Sequence, residues 1–213
     1  MTLVVEGLAL AYRRTAAPVI DDLSVAFAPG ALTVITGPSG SGKSTLLYML
    51  GLLVRPTSGE IYWEGEPTRP MSDVQRSRIR AREIGFVFQD ALLDPSRGIL
   101  DNVCDAGLFA GMGRSQQENR ARDLLESFGV EHRATHRPGE ISGGQAQRVA
   151  LCRALLTRPR VVLGDEPTGN LDTESARVVW AALRDHADSG ATVIVATHDE
   201  RLAATADARL VLR

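Results

Sequence analysis

The chain has 213 residues, 44% hydrophobic and 23% charged, a composition that supports a sizeable globular core. A formal net charge of −2 gives no global electrostatic case for nucleic acid or an anionic membrane surface as a partner. No apolar run reaches the roughly 18–20 residues of a membrane span. Met1-Thr2-Leu3-Val4-Val5-Glu6 lacks a basic region and does not read as a secretory signal. The only two cysteines, Cys104 and Cys152, form no CxxC pair and read as buried free thiols of a reducing compartment.

The opening stretch, 2–28, reads as short strands broken by a turn-rich segment at 13–18. Alternation in Ser24-Val25-Ala26-Phe27 marks a half-buried antiparallel strand. After the Pro29-Gly30 turn, the β-branched run 31–36 ends in a glycine-rich loop. A helix is predicted from Ser44 to Leu53, with Leu46, Leu47, Met49, Leu50 and Leu53 at helical spacing. An antiparallel strand is predicted over 59–64. Ser72 would cap a polar helix over 73–83, which leads into a strand over 84–88.

The middle third changes character, with helices predicted over 99–109, 116–128 and 143–157 and no convincing strand among them. Beyond Pro159 the α/β alternation returns. Strands at 160–163 and 191–196 flank a helix at 173–187, and their unbroken apolar runs suit parallel strands covered on both faces. The expected fold is therefore α/β with an inserted helical segment at roughly 90–158.

Gly37-Pro38-Ser39-Gly40-Ser41-Gly42-Lys43-Ser44, followed by Thr45, fits G-x-x-x-x-G-K-[ST] between a predicted strand and a predicted helix. The glycines let backbone N–H groups turn inward around phosphate oxygens, and the helix N-terminus adds partial positive charge. Lys43 would reach the β- and γ-phosphates of ATP, and the Ser44 hydroxyl would ligate Mg²⁺. A bare glycine-rich turn is the plainer alternative, and the strand–loop–helix setting weighs against it.

Two acids, Asp165 and Glu166, stand where the strand Val161-Val162-Leu163-Gly164 ends. Ligands of open α/β sheets collect beyond the carboxyl ends of strands. Asp165 would thus hold the Mg²⁺ shell opposite Ser44, and Glu166 would polarise the attacking water. Taken alone, the pair reads equally as solvated acids opening a loop. His198, at the end of the strand over 191–196, could hydrogen-bond the γ-phosphate, although a lone histidine is usually structural or merely exposed.

Ser142 and Gln145, in Ile141-Ser142-Gly143-Gly144-Gln145, have the spacing of a helix capping box, and two glycines leave N–H groups open to an anion. A capped helix would account for this alone. Yet it makes a second anion site in the helical insert, which one nucleotide cannot easily share with the first. Two copies arranged head to tail would share two nucleotides between the two sites.

In this order and combination the motifs resemble an ABC-family nucleotide-binding domain over about 2–213. The resemblance implies one P-loop NTPase ABC cassette spanning 1–213: an ATP-binding core with an antiparallel β subdomain over 1–89 and 159–213, and a helical subdomain over 90–158. Tyr12 falls where the family stacks adenine, Gly37–Thr45 on the Walker A loop, Gln89 on the Q-loop, and Ser142-Gly143-Gly144-Gln145 on the signature. Val161–Glu166 falls on Walker B and the catalytic glutamate, Asn170-Leu171-Asp172 on the D-loop, and His198 on the switch histidine. Gln89 would join Ser44 and Asp165 around the metal. Ile141 in place of Leu, and Ala146 in place of a frequent Gln, are mild departures.

Leu46–Gly51, Arg55–Gly59 and Asp165–Asp172 narrow the likeness to the branch of lipoprotein-release, macrolide-export and cell-division ATPases. Members of that branch are short and lack a C-terminal regulatory domain. The implied protein is a transport-coupled ATPase on the inner, cytoplasmic face of the cell membrane. It would form a homodimer when ATP is bound and work with an integral-membrane permease supplied by another chain. Asp90–Asp101, with Leu92, Leu93 and Pro95, is the candidate permease contact, or else a surface loop with ordinary apolar anchors. Chromosome-maintenance ATPases share the motifs but carry long heptad arms, absent here, and translation-factor ATPases carry two cassettes. A soluble ATPase of an iron–sulfur assembly complex remains the alternative.

Overall fold

The computed structural model describes residues 3–11 and 18–213. Strands β1 (Leu3–Leu10) and β2 (Ile20–Phe27) pair antiparallel, with Leu3 opposite Phe27. Strand β4 (Ser58–Trp63) pairs with the other edge of β1, and the two-residue β5 (Glu66–Pro67) follows it. The sheet order is β2-β1-β4-β5.

The second sheet is wholly parallel. It comprises β3 (Leu32–Thr36), β6 (Ile84–Val87), β7 (Val161–Asp165), β8 (Thr192–Ala196) and β9 (Ala208–Val211), in the order β6-β7-β8-β3-β9. Its central strands β3, β7 and β8 are apolar apart from the buried Thr33, Thr36 and Thr192, Gly164 and the terminal Asp165. Leu32, Val34, Val162, Val193 and Val195 face one core with helices α3 (Ile99–Ala110), α5 (Gly143–Leu155) and α6 (Thr173–Asp188). Ile35, Val161, Leu163, Ile194 and Ala196 face a second core, which takes in α1 (Lys43–Leu50) and the inner face of the antiparallel sheet. Both faces are buried, so hydrophobic residues fill both sets of positions.

Helix α1 is held by its buried Leu46, Leu47, Met49 and Leu50. At about 1.5–3 kcal/mol for each fully buried side chain, that packing anchors the loop preceding it. Leu53, predicted to be the helix's last apolar residue, lies beyond its end and is exposed, because the helix stops at Gly51. Helix α2 (Asp73–Glu83) starts at the predicted Ser72 cap, with a full capping box to Gln75.

Between β6 and β7 the chain forms only helices: α3, α4 (Arg114–Ser127), two short 3₁₀ turns and α5. Cys104 and Cys152 are both buried free thiols, and burial pushes both pKa values up. The fold adds three pieces that the sequence reading lacks: β5, the four-residue helix α7 (Glu200–Ala203) and β9 at the sheet edge beside β3. Among the described residues no helix is long and apolar enough to cross a membrane.

Candidate functional site

Strand β3 ends at Thr36, and the loop 37–42 turns directly into α1. Gly40 and Gly42 sit at φ +82° and +90°, left-handed conformations that a Cβ disfavours. Gly42 is the N-cap of α1 and supplies no side-chain cap, so the first N–H groups of the helix stay available. Lys43 folds back over the loop, its Nζ donating to the carbonyls of Gly37 (2.8 Å) and Pro38 (2.9 Å). The Ser41 hydroxyl is buried and has no hydrogen-bond partner among the described residues. A buried donor left unpaired within a cradle of left-handed glycines fits an anion with several acceptor oxygens.

Strand β7 lies two strands from β3, with β8 between them, and its last residue comes back to this loop. Ser44 Oγ donates to Asp165 Oδ1 at 2.9 Å, and Tyr48 Oη donates to Asp165 Oδ2 at 3.5 Å. Burial pushes the Asp165 pKa up, the adjacent Glu166 charge adds to the rise, and the Ser44 hydrogen bond opposes it. A half-buried carboxylate next to a serine hydroxyl has the hard oxygen chemistry that Mg²⁺ takes.

Glu166 has φ +48°, rare for a residue with a side chain and a strain found mostly where geometry serves function. Its N–H donates to the Ala196 carbonyl at 2.9 Å, which ties it to the end of β8. Its carboxylate is only 15% exposed and meets His198 Nδ1 at 2.9 Å, while the His198 N–H donates to the other oxygen at 3.3 Å. The hydrogen bond to Glu166 raises the His198 pKa, although the imidazole itself is 73% exposed.

Gln89 follows β6, and its Nε2 donates to Asn170 Oδ1 at 3.5 Å on the turn after Glu166. Ser39 and Gly40 complete the exposed outer part of the phosphate loop, and Thr45 is buried within α1. Lys43, Ser44, Asp165, Glu166 and His198 thus form one continuous group at the carboxyl edge of the parallel sheet.

The second predicted group lies elsewhere. Ser142 and Gln145 form the full capping box at the start of α5, each side chain bonded to the other's backbone. Gly144 lies so close to α6 that an added Cβ would fall 2.5 Å from Ser175 Oγ. Asp172 caps α6, with Oδ1 accepting from the N–H groups of Glu174 (3.0 Å) and Ser175 (2.9 Å). Gly143 opens α5 and is solvent-exposed. Tyr12 lies outside the described residues. Two side chains beside this machinery escaped the sequence reading: Tyr48, which reaches Asp165, and Gln147, which bonds the carbonyls of Phe88 and Pro167 next to Gln89 and Glu166. Only the helical phase of Tyr48 relative to Ser44, one turn apart on α1, could have hinted at the first.

The profile of the ABC transporter family matches residues 20–169, which include the phosphate loop, the signature turn and Glu166. The chain belongs to the ABC transporter family. Among ABC relatives, the "Lipoprotein-releasing system ATP-binding protein LolD" of Bordetella avium is 47% identical over 193 residues, covering 90% of this chain and 84% of the relative. The protein of the same name in Maricaulis maris is 45% identical over 191 residues, covering 89% and 83%. Among solved ABC structures, a dimeric, post-hydrolysis form of the ATP-binding cassette MJ0796 bound to ADP and Pi superimposes with a TM-score of 0.91. It is 32% identical, with 99% of this chain and 94% of that one covered. A second dimeric structure of MJ0796, described as a bacterial ABC transporter cassette, gives a TM-score of 0.89 at 33% identity, covering 98% and 94%.

Proposed function

We propose that this chain is the ATP-hydrolysing subunit of an ABC transporter of the lipoprotein-release type, working as a head-to-tail dimer around two MgATP. The observation that carries the reading is the meeting of Ser44 with Asp165 at 2.9 Å, next to the Glu166–His198 pair, at the mouth of the phosphate loop. The relatives named for lipoprotein release and the dimeric cassette bound to ADP and Pi support it.

In this reading Lys43 leaves the Gly37 and Pro38 carbonyls for the β- and γ-phosphates of ATP, and the loop N–H groups cradle the same oxygens. Ser44, Asp165 and Gln89 are the residues that would hold Mg²⁺, which when bound neutralises phosphate charge. Glu166, kept in place by the Ala196 carbonyl, accepts a hydrogen bond from the attacking water, and His198 reports the γ-phosphate. Ser142, Gly143, Gly144 and Gln145 of the partner copy close the other side, with Asp172 at the junction. Adenine stacks on Tyr12.

Residues 90–158 form the helical subdomain and 1–89 with 159–213 the ATP-binding core. The chain sits peripherally on the inner face of the membrane. A groove of about 560 Å³ between α2, α3 and α5, lined by Phe86, Phe88, Leu92 and Phe109, offers the permease an apolar seat. Leu92 and Phe109 are 61% and 76% exposed there, whereas Leu93 packs into the core and serves as the loop's anchor.

The test is purification of the tagged Glu166→Gln variant from detergent-solubilised cells with MgATP. A membrane permease that stays bound supports the reading; a soluble partner in its place overturns the transport assignment. Lys43→Ala measured alongside should weaken ATP binding, and unchanged affinity and turnover would contradict the phosphate-loop role.

A further inference from the structure

Helix α5 does more than present the signature turn. Gln147, 2% exposed, donates from Nε2 to the Phe88 carbonyl at 2.7 Å and to the Pro167 carbonyl at 3.0 Å. Phe88 is the residue before Gln89, and Pro167 is the residue after Glu166. Further along the helix, Arg153 donates Nη1 to the Leu92 carbonyl at 2.8 Å and Nη2 to the Ala91 carbonyl at 2.9 Å. Burial lowers the Arg153 pKa.

These four carbonyls belong to irregular segments outside the sheet and helices; that of Pro167 is buried, those of Phe88 and Ala91 are partly buried, and that of Leu92 is at the surface. A single amide nitrogen, with both its hydrogens used, therefore fixes the distance between the Gln89 backbone and the Glu166 turn. The Arg153 fork fixes the segment that carries the exposed Leu92 to the same helix.

We propose that Gln147 and Arg153 are positioning residues through which α5 holds Gln89, the 91–92 segment and the catalytic turn as one body. A movement of the signature end or of the Leu92 surface is then felt at Glu166. The inference rests on the ATPase reading above. Neither side chain touches nucleotide in it, so their loss falls on the alignment of Glu166 and not on ATP affinity.

The experiment uses the purified chain, with ATP turnover measured against MgATP concentration. Equilibrium titration with N-methylanthraniloyl-ATP and a thermal melt accompany each variant. Gln147→Met keeps the volume and removes both donors. It should lower kcat about tenfold, with KM and nucleotide affinity held within about twofold, as expected for losing buried hydrogen bonds that act on the reacting geometry. Arg153→Ala should show the same split, and Arg153→Lys, which can still reach one carbonyl, should recover part of the lost kcat.

A cooperatively melting Gln147→Met with kcat within about twofold of wild type overturns the inference, as does a loss that appears in KM and affinity instead. Should Gln147→Met fail to fold, the Arg153 pair decides by the same criterion. Wild-type turnover that is normal while both positions are silent refutes this inference alone. Absence of turnover in the wild-type chain refutes the ATPase reading, and this inference with it.

Discussion

Gly40 and Gly42 share a left-handed backbone and differ in their surroundings, so alanine at each separates backbone strain from crowding. At Gly40 an added Cβ meets nothing within 4 Å. At Gly42 it would lie 2.8 Å from Ile20 Cδ1, 2.9 Å from Val19 Cγ1 and 3.0 Å from the Val19 carbonyl. The two side-chain ends can shift, but the Val19 backbone is tied by its N–H to the Leu10 carbonyl at 2.7 Å. A left-handed L-residue costs about 1–2 kcal/mol, which is all that Gly40→Ala should lose. Gly42→Ala should add about 1–3 kcal/mol of overpacking. Urea unfolding followed by the fluorescence of Trp63 and Trp180 reads the difference. With slopes of about 2–3 kcal/mol per molar for a chain of this size, the two midpoints should differ by roughly 0.3–1.5 M. A loop that relieves the crowding by deforming shows it as lost ATP affinity, so a nucleotide titration accompanies the unfolding. Equal midpoints and equal affinities for the two variants would refute the reasoning.

The His198 imidazole should titrate above its ordinary value in the free chain, because Glu166 stabilises the imidazolium, and Glu166→Gln should bring the NMR midpoint back down. With the folded pKa raised, the pair contributes stability below the ordinary histidine pKa and loses it as pH rises through the shifted midpoint. An unshifted midpoint would contradict the pairing. Asp165 titrates high because its charge is half-buried, so its ionised form costs stability above the folded pKa, and that cost fades as pH falls through it. Asp165→Asn should therefore raise the melting temperature of the nucleotide-free chain near neutral pH while abolishing most Mg²⁺-dependent turnover. A lower melting temperature would show that the carboxylate itself is a net stabiliser.

Local chemistry that acts within one turn was legible in the sequence. Ser72, and Ser142 with Gln145, marked the starts of α2 and α5 at the residues where the structure has them. The unbroken apolar runs of β7 and β8 announced strands buried on both faces. What was not legible depends on tertiary neighbours. Strand β9 is largely exposed, with Arg209 in its middle, and only its pairing to β3 makes it a strand. Helix α7 has four residues and rests on the Asp199 cap. Gln147 carries no motif meaning of its own, since the carbonyls it serves lie 59 and 20 residues away. Asp172 and Gly144 also gained a second, structural reason for their identity: one caps α6, and the other lets α5 approach Ser175.

The most direct test of the central claim is one measurement on the Glu166→Gln chain: light scattering coupled to gel filtration with MgATP, with phosphate release read on the same sample. The expected result is a particle of two 22.9 kDa chains, formed only with nucleotide and almost without turnover. A chain that stays monomeric with MgATP, or that releases phosphate at the wild-type rate, would contradict the two-site hydrolytic mechanism.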